Sequence, residues 1–202
     1  YAHGFRAEDV PHSDPDFLVA LAAFVRRKSR ERATGIGPEV TPEQQRIFDR
    51  GHAIEALARP LAEAIIGEDL FPVVGKDGKY SASFDGLTLM EDTAWECKTL
   101  NNSLRDAISV NGMPTVVCLP EHYRAQLEQQ AMVSGCQRIL FTAASMGDDG
   151  HLADVRHCWY TPDPAMRQRL VAGWAQFEQD VAAYDPAAER PAQAVAAPVE
   201  SL

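Results

Sequence analysis

Between Leu70 and Leu100 the chain breaks into four short apolar pieces, each closed by turn-forming residues. "LFPVV" (70–74) and "KYSASF" (79–84) are divided by Lys-Asp-Gly, "LTLM" (87–90) follows Asp85-Gly86, and "TAWECKTL" (93–100) follows Glu91-Asp92. Strand-length runs bounded by such residues predict an antiparallel meander. A sheet of this kind buries its apolar surface only if other elements cover it. The flanking sequence is suited to that role.

Upstream, a helix is predicted over Pro42–Ile66. Thr41 is its N-cap, Pro42 takes the first helical position, Gln44 completes a capping box, and Gly67 ends it. Its expected core stripe is Ile47, Ile54, Leu57, Leu61 and Ile65, and Pro60 is a possible kink. An earlier helix is predicted over 15–31, carrying Phe17, Leu18, Leu21, Phe24 and Val25. Downstream, 101–115 read as a polar loop and 115–119 as a short strand. A helix follows over 121–134, stopped by Gly135, then a strand (138–145), a turn (147–150) and its hairpin partner (152–161). The last helix starts near Thr161-Pro162, and its stripe of Met166, Leu170, Trp174, Phe177, Val181 and Tyr184 reads as core packing. This order of elements implies α+β or α/β architecture with a mixed sheet. We expect one domain over 1–184 and a flexible Pro/Ala-rich tail over 185–202.

No apolar run approaches the ~20 residues of a membrane span, and no signal-like segment opens the sequence, so the cytoplasm is the expected location. Cys97, Cys118, Cys136 and Cys158 stand far apart with no Cys-x-x-Cys pair, which argues against zinc or iron–sulfur sites and for buried, reduced thiols. The net charge of −10 repels nucleic acid unless the cations are concentrated. "RRKSRER" (26–32) does concentrate them, with five of the nineteen Lys and Arg residues. A solvated helix end would have the same composition.

Asp85, Glu96 and Lys98 are the residues with chemistry to offer. Residues 96 and 98 of a strand share a face, so the two side chains meet one site, and the Cys97 carbonyl lies between them. Asp85 approaches from the neighbouring strand. Carboxylates and a carbonyl are oxygen ligands suited to Mg²⁺, and a lysine beside a cation is placed to orient or deprotonate water. A charged, solvated hairpin face would show similar spacing. Glu55, on the helix one turn after Gly51, is a third candidate carboxylate, and Gly51 leaves room for close approach. In "YRAQLEQQ", Tyr123, Gln126 and Gln130 fall on one helix face, suited to hydrogen-bonding a metal-site carboxylate, a water or a sugar–phosphate edge.

Taken in order, Glu55 after Gly51, "SFDG", "ECK" and "YRAQLEQQ" resemble the PD-(D/E)xK nucleases of the lambda exonuclease and YqaJ viral-recombinase type. The resemblance covers about residues 32–145. It departs at Phe84, where the family often has Pro, and at "RATGIGPEV", which is one residue short and carries Pro38 where Ser is usual. It implies an α/β, restriction-endonuclease-like core with a central mixed sheet flanked by helices. It also implies Mg²⁺-dependent (Mn²⁺ substituting) 5′→3′ digestion of one strand of linear duplex DNA, with two ions per site. Related endonucleases, and a non-catalytic DNA-end-binding scaffold on the same fold, are the alternatives. Carried over residue by residue, Asp85, Glu96, the Cys97 carbonyl and Glu55 would be metal ligands. Lys98 would be the catalytic lysine and Gln126 the helix glutamine at the site. Arg32, or its rival Arg30, would hold a 5′-phosphate, with Arg105, Tyr123 and Gln130 as further DNA contacts. The implied partners are a 5′-phosphorylated DNA end, two further copies in a homotrimer, and a single-strand annealing protein.

Overall fold

The computed structural model of the chain describes residues 31, 35, 37, 40–108 and 119–183. The helix expected at 15–31, the basic cluster with Arg30 and Arg32, the strand expected at 115–119, Cys118 and the tail from 185 lie outside the described residues, but for Glu31 and Leu119. Among the described residues, the sheet lies in a compact unit within 40–174, while 175–183 fall in another.

The first described helix, α1 (Pro42–Ile66), has the ends its sequence dictates. The Thr41 side chain accepts from the Gln44 N–H, the Gln44 side chain accepts from the Thr41 N–H, and Gly67 closes the helix at φ 87°. Five strands follow: β1 (Phe71–Asp77), β2 (Tyr80–Leu87), β3 (Thr93–Thr99), β4 (Arg138–Met146) and β5 (Leu152–Tyr160). They lie in sequence order in one mixed sheet, with all neighbours antiparallel except β3 and β4. The crossover between those two carries α2 (Asn102–Ala107) and α3 (Glu121–Ser134). A last helix, α4 (Pro164–Ala183), follows β5. The architecture is α/β, a five-stranded mixed sheet flanked by helices. The polar 101–115 segment, expected as a loop, begins instead with α2, whose Leu104 N–H is capped by the Asn101 side chain at 2.8 Å.

Each face of the sheet has its own core. Alternation along β3 sends Trp95 and Cys97 to the α1 side, where they pack with Leu70, Leu140 and Ala144 against Ile54, Ala58 and Ala62. Ala94 points the other way, into a core with Phe84, Leu87, Phe141 and Leu127 of α3. The stripe expected for α1 is therefore corrected: Ile54 is buried, but Ile47, Leu57, Leu61 and Ile65 are exposed. The reason is steric. Trp95 is fully buried beneath the helix, and beside its large indole the helix packs the small Ala58 and Ala62 together with Ile54. Cys97, Cys136 and Cys158 are buried free thiols, as expected.

The Asp85-Gly86 pair corrects a second expectation. It is not a turn between two strands, because β2 runs straight through it. Phe71 stands opposite Leu87 and Val73 opposite Phe84, so Pro72 alone faces both Asp85 and Gly86. That is a β-bulge, and Pro72, with no N–H to give a ladder, is tolerated at one. The reversal comes later, at Leu89–Asp92. There the Thr88 N–H donates to the Thr93 carbonyl at 3.0 Å, the Thr88 hydroxyl donates to Asp92, and Glu91 adopts φ 59°. Leu89 and Met90, expected in a strand, are exposed at its tip. Gly86 is required for a different reason than turn chemistry. A Cβ there would stand 2.8 Å from Leu70 Cβ and 3.2 Å from Trp95 Cε3. Gly86→Ala should therefore cost about 1–3 kcal/mol by overpacking, read as a lower midpoint in urea at unchanged slope. An unchanged midpoint would show that the bulge can shift without penalty.

Candidate active site

β2 and β3 pair only at Gly86–Trp95 and Leu87–Ala94 before they part. Continuing that register would set Asp85 opposite Glu96 and Phe84 opposite Cys97. The Thr88 N–H bond to Thr93 fixes which pairs exchange bonds, so a regular ladder would next join the Cys97 N–H to the Phe84 carbonyl. Instead the Cys97 N–H donates to Asp85 Oδ2 at 2.7 Å. The bulge thus lets a side chain take the place of a backbone acceptor. In extended chain a residue's N–H and C=O leave on the same edge, so the Cys97 carbonyl also leaves on the Asp85 side. Asp85, Glu96 and this carbonyl converge at the fork.

Glu96 is almost wholly buried, at 2% exposure, and is held from three directions. Lys98 Nζ and Gln126 Nε2 donate to its Oε1, the latter at 2.6 Å, and Gln130 Nε2 donates to Oε2 at 2.6 Å. The expectation that Glu96 and Lys98 share a face is met. Glu55 reaches the fork from α1, with Oε1 accepting from Arg59 at 2.8 Å. Arg59 also donates to the Asp85 carbonyl at 2.8 Å and the Leu70 carbonyl at 3.0 Å, and lies 5.1 Å over the Trp95 ring. It pins α1 to the bulge. Arg59 was not among the residues singled out from sequence, although its position four residues after Glu55 marks an i,i+4 ion pair.

The electrostatics follow from crowding acids in a low-dielectric place. Burial pushes the Asp85 carboxyl above the usual carboxylate range, against the opposing pull of the Cys97 N–H, Lys98 and Arg59. Glu96 is raised by burial and then by the charge of Asp85, and Glu55 is raised by the same two causes in the same order. The Cys97 thiol is pushed up to about 12 by burial and the surrounding acids, so it stays protonated and offers its backbone rather than its sulfur. Among the described residues, no three His, Cys, Asp or Glu side chains close into a ready-made cation cage.

A cavity of about 490 Å³ opens on the α3 side of the fork. Asp85, Glu96, Lys98 and Gln126 line it, with His122 and Trp174 on its walls. Trp174, expected as core packing, is only half-buried, and its indole N–H donates to Gln129 Oε1 at 2.9 Å. The pairing of α4 with α3 that brings it here has no local signal. The three described residues expected as DNA contacts each have partners within the protein. Gln130 borders the same cavity but is only 1% exposed, its amide committed to Glu96 and to the Ser83 carbonyl. Tyr123 packs on the Phe141 ring, centroids 5.5 Å apart. Arg105 pairs with Asp154 of β5 at 3.4 Å. Gly51 has open space where a Cβ would stand, so no protein neighbour requires a glycine there.

The five-stranded mixed sheet with helices on both faces is a fold found in solved exonuclease structures. Solved structures share it over about four-fifths of the chain. The alkaline exonuclease LHK-Exo from Laribacter hongkongensis matches at TM-score 0.56 and 21% identity, covering 80% of this chain and 81% of that one. The same enzyme in complex with dAMP matches at TM-score 0.57 and 20% identity, with the same coverage. A phage-related exonuclease from Haemophilus somnus 129PT matches at TM-score 0.56 and 9% identity, covering 79% of each chain. No family model and no curated protein matches the sequence.

The raised carboxyls make a pH-dependent stability prediction for metal-free protein. A carboxyl whose folded pKa exceeds its unfolded value keeps its proton longer in the folded chain. Stability from Asp85, Glu96 and Glu55 is therefore greatest below the ordinary carboxylate range of about 4, and is lost as pH rises through the raised values. Asp85→Asn keeps an oxygen for the Cys97 N–H and removes the shared charge. In chelator it should melt higher than wild type near pH 7, and the difference should shrink on acidification. A lower melting temperature at every pH would mean that the charge of Asp85 holds the fork together.

Proposed function

We propose that this chain is a metal-dependent exonuclease that digests one strand of linear double-stranded DNA in the 5′→3′ direction, leaving 3′ single strands for phage-type annealing recombination. The observation that carries the proposal is the fork itself. A buried carboxylate, a half-buried one and a backbone carbonyl converge beside Lys98, in a cavity, on a fold shared with an alkaline exonuclease and a phage-related exonuclease. That LHK-Exo is seen with dAMP supports a nucleotide as the occupant of the corresponding surface.

The donor set suits a hard cation. Mg²⁺ holds few protein ligands and keeps waters for exchange, so one or two carboxylates and a carbonyl are enough without a closed cage. Asp85, Glu96 and the Cys97 carbonyl would hold it, with Glu55 at the margin for a second ion, and Mn²⁺ would substitute. When bound, such an ion stabilises charge on a phosphate and makes water a better nucleophile at neutral pH. The chain's own residues supply the rest. Lys98, at the cavity and paired with Glu96, would orient the attacking water, and would accept a proton from it only after giving up its own. Gln126 keeps the Glu96 carboxylate aimed, and Arg59 steadies both Glu55 and the Asp85 backbone.

With a net charge of −10, DNA must be met by cations gathered in one place. The "RRKSRER" segment, with Arg30 and Arg32, is the candidate for the duplex and its 5′-phosphate. A homotrimeric ring would keep the acidic exterior beyond the roughly 8 Å screening length. A single-strand annealing protein would take the product.

The test is linear duplex DNA labelled at the 5′ or the 3′ end, incubated with Mg²⁺ or with chelator. Early, metal-dependent release of the 5′ label as mononucleotide is expected, and Lys98→Ala should slow it about 10²–10⁴-fold while retaining DNA binding. Internal cuts would make the protein an endonuclease. No cleavage with DNA still bound would leave a scaffold.

A further inference from the structure

Gln130 is the most deeply buried polar side chain at the fork, at 1% exposure, and the proposed chemistry gives it no role of its own. Its Nε2 donates at 2.8 Å to the Ser83 carbonyl on β2 and at 2.6 Å to Glu96 Oε2 on β3. These two strands are the ones whose ladder has stopped at Gly86–Trp95. A single amide therefore spans the gap on the α3 side, while the Asp85–Cys97 bond spans it in the plane of the sheet. Its Oε1 is buried with no hydrogen-bond partner among the described residues. A side chain that only filled space would carry no such penalty, since methionine has the same reach and no polar atoms to strand. The amide is needed for its N–H groups.

Resting on the nuclease reading for its functional half, we infer that Gln130 is a positioning residue. It clasps β2 to β3 at the fork and sets the orientation of the Glu96 carboxylate toward a divalent cation. Gln126 differs in kind. Both amides border the cavity, but Gln126 reaches Glu96 alone and makes no bond to β2. Hydrogen bonds that fix a ligating carboxylate influence metal affinity by about 10–100-fold when removed.

The experiment uses the full chain with Gln130→Met, which keeps shape and volume, and Gln130→Asn, which keeps the amide but shortens its reach. Asn carries the test if Met fails to fold. Two quantities are measured. Amide hydrogen exchange at Cys97 in chelator reports the clasp without reference to any activity, and Mn²⁺ titration by calorimetry reports the carboxylate. Exchange at Cys97 should speed up at least tenfold, and the Mn²⁺ dissociation constant should rise 10–100-fold. Wild-type exchange and wild-type Mn²⁺ affinity in a folded variant would overturn the inference and leave Gln130 a packing residue. Faster exchange in a protein whose wild type binds no Mn²⁺ would uphold the clasp and overturn the metal reading instead.

Discussion

One hydrogen bond organises this molecule: the Cys97 N–H given to the Asp85 carboxylate at the place where β2 and β3 separate. A regular antiparallel pair would have satisfied that N–H with the Phe84 carbonyl and left no opening. The bulge prevents it. Pro72 on β1 faces two residues of β2, the strand turns, and the Asp85 side chain falls into the vacated ladder position. The bulge is in turn held by the α1-side core, because Gly86 lies against Leu70 and Trp95 and Arg59 grips the Leu70 and Asp85 carbonyls. Apolar packing on one face thus determines where a carboxylate sits at the edge of the other.

The second carboxylate is placed by different means. Alternation along β3 puts Glu96 on the α3 face among Phe141 and Ala94, where an unpaired charge would be untenable. Three donors, from Lys98, Gln126 and Gln130, make it tenable. The arrangement is still costly, since burial first, and then the charge of Asp85, raise the pKa of both Glu55 and Glu96. Natural proteins carry such local instability where function requires it, and elsewhere the chain is conventionally built. Away from the fork, Glu128 is fully buried and fully answered, by Tyr160, Arg167 and the Asp163 N–H.

What the sequence discloses follows the range of the interaction concerned. The ends of α1 were legible from Thr41, Pro42, Gln44 and Gly67 because capping involves residues three or four apart. The stop of α3 at Gly135 was legible for the same reason. The buried face of α1 was not, because large apolar residues recur on a neighbouring stripe and the choice was made by Trp95, over thirty residues away. Asp85-Gly86 reads as a turn locally, and only the pairing with Pro72 makes it a bulge. Among site residues, Asp85, Glu96 and Lys98 could be picked out because strand alternation and chain order relate them. Arg59 could be tied to Glu55 by its i,i+4 spacing but not to the Asp85 backbone, and Trp174 had no signal, since only the packing of α1 and α4 brings them to the site.

The most direct test of the account is a crystal grown with Mn²⁺ and measured at an energy where manganese scatters anomalously. The account predicts a peak at the fork, within bonding distance of Asp85, Glu96 and the Cys97 carbonyl, with the Asp85–Cys97 contact intact. A peak elsewhere, or none while Mg²⁺ still supports cleavage, would contradict it.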